Sequence, residues 1–185
     1  MNPFEETLKS IDDFCSKNRI SYSIIGGLAL IFHKIQRTTN DIDITLLVKL
    51  ENMENIGKIL SEEFEPIFPD SIQFFQKNFV LPVSEKKTKM RIDFAAGLTG
   101  FDKKVIERSM RQDFGKLNLP FCTIEDLILY KLFASRPKDL SDIHEIAKRH
   151  KGKIDEKYLS KMLNDFSELE REDMSENFKR IFLKK

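Results

Sequence analysis

Asp41 and Asp43 stand one residue apart in DIDITLLV, a stretch otherwise made of isoleucine, threonine, leucine and valine. An extended chain alternates its side chains, so both carboxylates project from one face while Ile42 and Ile44 project from the other. Charge in an apolar strand is costly unless a partner or a metal compensates it. Two carboxylates sharing a face repel each other, and a hard divalent cation relieves that repulsion. Mg²⁺ fits best among biological cations, because it takes oxygen ligands and keeps positions open for waters and substrate phosphates. Sites built on paired metals need a further acid from a neighbouring strand, and Asp93 in KMRIDFAAG is the available one, flanked by Ile92 and Phe94.

Upstream lies SYSIIGGLALIFHKI. SYSII is β-prone and stops at Gly26-Gly27, after which LALIFHKI reads as a helix. Glycines at a strand-to-helix turn let another group approach the backbone because no Cβ obstructs it. The helix start adds unpaired N–H groups and the positive end of its dipole. A phosphate cradle beside a cation site implies nucleotide phosphate chemistry. Arg37, Thr38 and Thr39 lie between the two and read as a polar loop, with a lining of the nucleotide site as the alternative. EKKTKMR, ahead of Asp93, reads as a solvated hairpin tip.

Gly-Gly followed by Asp-Ile-Asp-Ile resembles the signature of the polymerase-β-like nucleotidyltransferase superfamily. RTTNDIDI is similar to the branch holding abortive-infection toxins of the AbiEii type. Lys131 in LILYKLFASR and the following Arg136-Pro137-Lys138-Asp139 resemble that branch's third and fourth motifs. The resemblance covers roughly residues 20 to 145. It implies that Asp41 and Asp43 hold metal, with Asp93 as third ligand, and that Gly26 and Gly27 receive the triphosphate. It implies that Lys131 approaches the nucleotide phosphates, that Asp139 is needed for activity, and that Arg136 and Lys138 assist in nucleotide binding. Many superfamily members carry Gly-Ser at the turn, where the hydroxyl touches phosphate; Gly27 stands here instead. That hydroxyl contact contributes about 1 kcal/mol net, and more when the acceptor is charged.

Around these residues, the elements order themselves into a mixed α/β core followed by helices. Phe4, Leu8, Ile11 and Phe14 predict an amphipathic helix over 3–18, and Met53, Ile56, Ile59, Leu60 and Phe64 predict another. From 65 to 98 the pattern reads as strands: SIQFF, NFVLPV and KMRIDFAAG. Two further short strands are expected in VIERSMRQDF and KLNLPF, separated at Gly115. After Pro120, TIEDLILYKLFASR opens with Thr123 and Asp126 near the spacing of a capping box, and helical spacing continues to the end. Pro137 and Asp139 fit the start of the next helix, with Asp139 as its cap and Asp142 as a dipole partner in its first turn; the alternative for Asp142 is a pair with Lys131 or Arg136. The expected fold is α/β: a nucleotidyltransferase-like mixed sheet flanked by helices over 1–122, with a helical subdomain over 123–185 packed on it.

Bulk properties fit this reading. The 185 residues are 41% hydrophobic and 33% charged, enough for a packed core. Sixteen phenylalanines and no tryptophan leave Phe, Ile and Leu to fill it. Lys plus Arg number 31 against 30 acids, a net charge of +1 without the overall basic excess of a nucleic-acid binder. Cys15 and Cys122 form no CxxC pair, which excludes a cysteine zinc site and points to a reducing compartment. YSIIGGLALIF is too short for a bilayer, which needs roughly 20 apolar residues, so a soluble cytoplasmic protein is expected. His33, His144 and His150 lack metal-binding spacing and read as packing or surface residues.

The expected activity is Mg²⁺- or Mn²⁺-dependent transfer of a nucleoside monophosphate from a nucleoside triphosphate to an RNA or protein hydroxyl. The toxin resemblance implies a cognate antitoxin as partner. The alternative is a non-catalytic member of the same fold that binds a nucleotide or a partner. A metal-dependent nuclease would use the same carboxylates but leaves the glycine turn and Lys131 unexplained.

Overall fold

The computed structural model describes residues 2–150, 152–167 and 171–183. The chain divides into two compact units, Met1–Phe32 with Gln36–Cys122, and His33–Ile35 with Thr123–Lys185.

The first unit opens with helix α1 (Pro3–Lys17), capped by the Asn2 side chain on the Glu5 N–H at 2.9 Å. Strand β1 (Tyr22–Ile24) runs into helix α2 (Gly26–Phe32), which begins at the first glycine of the pair rather than after it. Then come strand β2 (Asp41–Leu47), helix α3 (Met53–Glu63), the two-residue strand β3 (Glu65–Pro66) and helix α4 (Ser71–Asn78). Strands β4 (Val80–Ser84) and β5 (Arg91–Gly97), helix α5 (Gly100–Arg108) and the hairpin β6 (Met110–Phe114) and β7 (Leu117–Phe121) complete it. The strands form one mixed sheet in the order β3-β4-β5-β2-β1-β7-β6.

Alternation along β2 and β5 sorts the sheet's two faces. Ile42, Ile44, Leu46, Ile92 and Phe94 are fully buried. Behind them a ladder of rings runs from Phe94 to Phe64 (5.2 Å between centroids) and on to Phe14 of α1 (5.6 Å). The intervening residues Asp41, Asp43, Arg91 and Asp93 have the opposite pleat. Parallel pairing of β2 with β5 sets Asp43 directly beside Asp93 and Asp41 beside Arg91.

One expected strand and the first half of another are helices instead. SIQFF lies in α4, where Ser71 and Phe75 share a buried side one helical turn apart. A Cβ on Gly57 of α3 would stand 3.3 Å from the Phe75 ring and 3.5 Å from Ile72, so this glycine lets the two helices close up. Tertiary packing thus overrides the β propensity of the Ile and Phe side chains. VIER lies in α5, started by a full capping box in which Thr99 accepts from the Asp102 N–H (3.1 Å) and Asp102 from the Thr99 N–H (3.0 Å). Only the second half of VIERSMRQDF is a strand.

The second unit holds helices α6 (Ile124–Ala134), α7 (Pro137–Arg149), α8 (Glu156–Ser167) and α9 (Glu172–Phe178). Its core gathers Leu127, Ile128, Leu132, Ile143, Ile146, Leu159 and Met174. The fully buried Asp126 accepts hydrogen bonds from the Thr123 hydroxyl (2.8 Å) and the Tyr158 hydroxyl (2.6 Å), tying α8 to the start of α6. Asp139 does not cap α7. Arg136 holds the cap position, Pro137 is the first helical residue, and Asp139 falls in the first turn. No helix among the described residues is long and apolar enough to cross a membrane.

Candidate active site

Asp41, Asp43 and Asp93 each offer one carboxylate oxygen, and these oxygens lie within 4.8 Å of one another. All three residues are half-buried. The register explains the cluster, since neighbouring strands carry same-face residues side by side. Three like charges this close disfavour the folded state unless positive charge is supplied.

Each carboxylate has a donor from the chain. The Thr39 hydroxyl donates to Asp41 Oδ1 at 2.7 Å, with the Asp41 carbonyl also in reach at 3.1 Å. The Gly27 N–H points to Asp43 Oδ2 at 3.4 Å. The Arg91 guanidinium donates twice to Asp93, through Nε to Oδ1 at 3.0 Å and Nη2 to Oδ2 at 3.2 Å. The hydrogen bond and charge of Asp93, with further pull from Asp41 and Asp43, raise the pKa of Arg91 and lock it in its charged form.

Gly26 has a φ of +65°, and a Cβ there would overlap Asp43 Oδ2 at 1.8 Å. Both facts require glycine: the left-handed backbone, and the carboxylate lying against the Cα. The turn therefore brings its backbone to the carboxylate cluster. The helix that follows is only seven residues long, and its first free N–H in this region faces Asp43.

The remaining predicted residues form a second group, within the second unit. Lys131 is buried and its ammonium meets Asp142 at 2.7 Å and Asp139 at 3.4 Å. Arg136 pairs with the other side of Asp139, through Nε to Oδ2 at 2.5 Å. Burial works to raise the Asp139 pKa, but the Arg136 guanidinium and the Lys131 ammonium outweigh it and hold the carboxyl below its usual 3.8. Lys138 is exposed on the first turn of α7.

Thr39 and Arg91 hold carboxylates in a way that was not anticipated, and Asp142 takes its second reading. Thr39 reads from sequence as loop. Arg91 reads as part of a hairpin tip, yet it is the first residue of β5 and grips Asp93; their i, i+2 spacing on a strand was the available signal. Asp142 reads first as a first-turn dipole partner and second as a pair for Lys131 or Arg136; α7 begins at Pro137, so it lies a turn further on, and the pair with Lys131 is the one formed.

Residues 4–183 match the family described as nucleotidyltransferases of unknown function (DUF6036). The chain belongs to this family. No curated protein sequence matches it. Among solved structures, the nucleotidyltransferase chain resembles the antibiotic-resistance factor ANT(2'')-Ia in solution, with 11% identity over 93% of this chain and 98% of that one (TM-score 0.60). ANT(2'')-Ia in complex with adenylyl-2''-tobramycin matches with 11% identity over 94% and 97% (TM-score 0.53). An antigenic nucleotidyltransferase-like protein from Paracoccidioides brasiliensis matches with 14% identity over 96% of each chain (TM-score 0.52). At these identities the likeness is one of fold: the mixed α/β architecture of the nucleotidyltransferases.

Proposed function

We propose that this nucleotidyltransferase moves a nucleoside monophosphate from a nucleoside triphosphate to a hydroxyl acceptor, using Mg²⁺ or Mn²⁺ held by Asp41, Asp43 and Asp93. The observation that carries the reading is the meeting of three carboxylate oxygens within 4.8 Å beside the Gly26-Gly27 turn. The donor set fits a hard cation, being all carboxylate oxygen and half open to solvent. The bound cation would neutralise phosphate charge and favour attack at the α-phosphorus with pyrophosphate leaving.

The chain's own groups divide the remaining work. Asp41 and Asp43 stand on one strand and Asp93 on its neighbour, so the spacing of the three is set by backbone pairing rather than by flexible loops. Asp93 serves the acceptor side, as ligand or as base for the hydroxyl proton. To do so it exchanges Arg91, whose side chain is about half exposed (54%) and therefore free to swing into solvent. Gly26 and Gly27 keep side-chain bulk away from the incoming phosphates. Lys131, Asp139, Arg136 and Lys138 are assigned to nucleotide handling by the resemblance of their motifs. The pairing of Lys131 with Asp139 and Asp142 sets a condition on that assignment: the lysine either acts through Asp139 or trades one carboxylate for a phosphate oxygen.

The acceptor follows from the AbiEii-like motif, which favours an RNA or protein hydroxyl, a cytoplasmic toxin role and a cognate antitoxin. A second reading, a small-molecule hydroxyl, is favoured by the overall match to ANT(2'')-Ia, seen with adenylyl-2''-tobramycin. Incubation with each α-labelled triphosphate and Mg²⁺, in the presence of RNA, cell protein or tobramycin, distinguishes the two by which species becomes labelled. Binding of a triphosphate with no label transferred to any acceptor would favour the non-catalytic alternative.

A further inference from the structure

Thr39 occupies the room beside Gly27. A Cβ on Gly27 would stand 2.7 Å from Thr39 Oγ1 and 2.8 Å from Thr39 Cβ, closer than any real pair of such atoms. No side chain can be added at position 27 while Thr39 stays where it is. Its hydroxyl also lies 2.7 Å from Asp41 Oδ1, so it sits between the glycine turn and the first carboxylate of the cluster. Thr38 and Asn40, its neighbours along the chain, are exposed, whereas Thr39 is half-buried.

A hydroxyl has one proton to give. Thr39 spends it on Asp41, and the alternative acceptor within its own loop, the Asp41 carbonyl, is at the longer 3.1 Å. A cation drawing on the Asp41 carboxylate competes for the same oxygen electrons and weakens that hydrogen bond. The phosphate oxygens that arrive with the cation are charged acceptors and outcompete the neutral Asp41 carbonyl, the other acceptor in reach of the Thr39 hydroxyl. The geometry points to Thr39 Oγ1 as the side-chain donor to the phosphates of the bound nucleotide, standing in for the hydroxyl that position 27 lacks. This rests on the nucleotidyltransferase reading above and adds to it a binding residue on the loop before β2.

The test is calorimetric titration with each of the four nucleoside triphosphates plus Mg²⁺, and separately with Mn²⁺ alone, on the wild type and on Thr39→Val and Thr39→Ser. Thr39→Val keeps the shape and removes the hydroxyl. It should bind the preferred triphosphate roughly ten- to hundredfold more weakly, the span of one hydrogen bond to a charged group. Its affinity for Mn²⁺ alone should stay within about twofold, and Thr39→Ser should match the wild type in both titrations. A reciprocal swap adds a positive result: Gly27→Ser alone should weaken triphosphate binding through the collision with Thr39, and Gly27→Ser with Thr39→Gly should recover it. Equal triphosphate affinity in Thr39→Val and wild type overturns the inference. So does an equal loss for Mn²⁺ alone, which would make Thr39 a holder of Asp41 and nothing more. A wild type that binds no triphosphate overturns the nucleotidyltransferase reading itself, and is thereby told apart from failure at Thr39.

Discussion

Arg91 and Asp93 project from the same pleat of one strand and close a two-point salt bridge, at 3.0 and 3.2 Å, inside a cluster of three carboxylates. The guanidinium takes the place of a cation at the one carboxylate that comes from the second strand. A divalent ion that draws on Asp93 therefore competes with an internal positive charge. Replacing Arg91 by Ala should tighten binding of Mn²⁺ alone. The guanidinium is half exposed to solvent, which screens the pair, so its removal is worth up to about 1 kcal/mol, or roughly fivefold in affinity. Titration calorimetry with Mn²⁺ checks this, and weaker binding in Arg91→Ala would show that the guanidinium assists the cation.

Gly26→Ala should damage the site more than its size suggests. The left-handed φ of +65° costs any residue with a Cβ about 1–2 kcal/mol. The added methyl also overlaps Asp43 Oδ2. The carboxylate must swing out of the cluster, so the variant should be less stable by about that amount and should lose Mn²⁺ binding at least tenfold. Thermal unfolding and the same titration measure the two effects separately; unchanged Mn²⁺ affinity would mean that Asp43 is not a ligand.

The buried group around Lys131 predicts a pH-dependent stability. The Asp139 carboxyl is held below its usual value in the folded chain by Arg136 and Lys131, which outweigh the effect of burial. Its contribution is therefore complete above the unfolded value of 3.8 and is lost as pH falls through the lower folded value. Lys131→Met removes the ammonium between two buried carboxylates and should cost about 3–5 kcal/mol at pH 7. Asp139→Asn should cost less, about 1–3 kcal/mol, because Lys131 keeps Asp142. The Asp139→Asn deficit should shrink as pH is lowered below 3.8, where the unfolded wild type begins to take up the proton, and should be gone once pH has passed the lower folded value. Urea unfolding across pH 2–7 gives the comparison.

How much of this could be read in advance depended on how local the signal was. Asp41 and Asp43 announce themselves because two charges at strand spacing violate the apolar pattern around them, and Asp93 does so for the same reason. That the three converge is a matter of register, Asp43 beside Asp93, which no local pattern encodes. SIQFF and VIER read as strands because their Ile, Val and Phe content favours them, while the deciding contacts are Gly57 under Phe75 and the Thr99–Asp102 capping box. The capping box is a local pattern, Thr99 with Asp102 three residues on, and went unread. The Gly57 contact is not local, since it joins two helices. Thr39 was legible only as an alternative: a threonine in RTTN reads first as loop and second as lining of the nucleotide site, and the space it fills beside Gly27 is not encoded locally. Lys131 was found as a residue and Asp142 as an alternative partner for it, but the second bridge, to Asp139, depends on how α7 meets α6.

The most direct measurement is binding and transfer with Asp41 and Asp43 both replaced by Asn, which keeps size and removes charge. In the wild type, Mg²⁺-dependent transfer of label from an α-labelled triphosphate should be present. In the double variant, transfer and Mn²⁺ binding should both fall at least a hundredfold while the thermal transition is kept or raised, because the repulsion between the carboxylates is gone. Transfer that persists undiminished in the double variant would contradict the account at its centre.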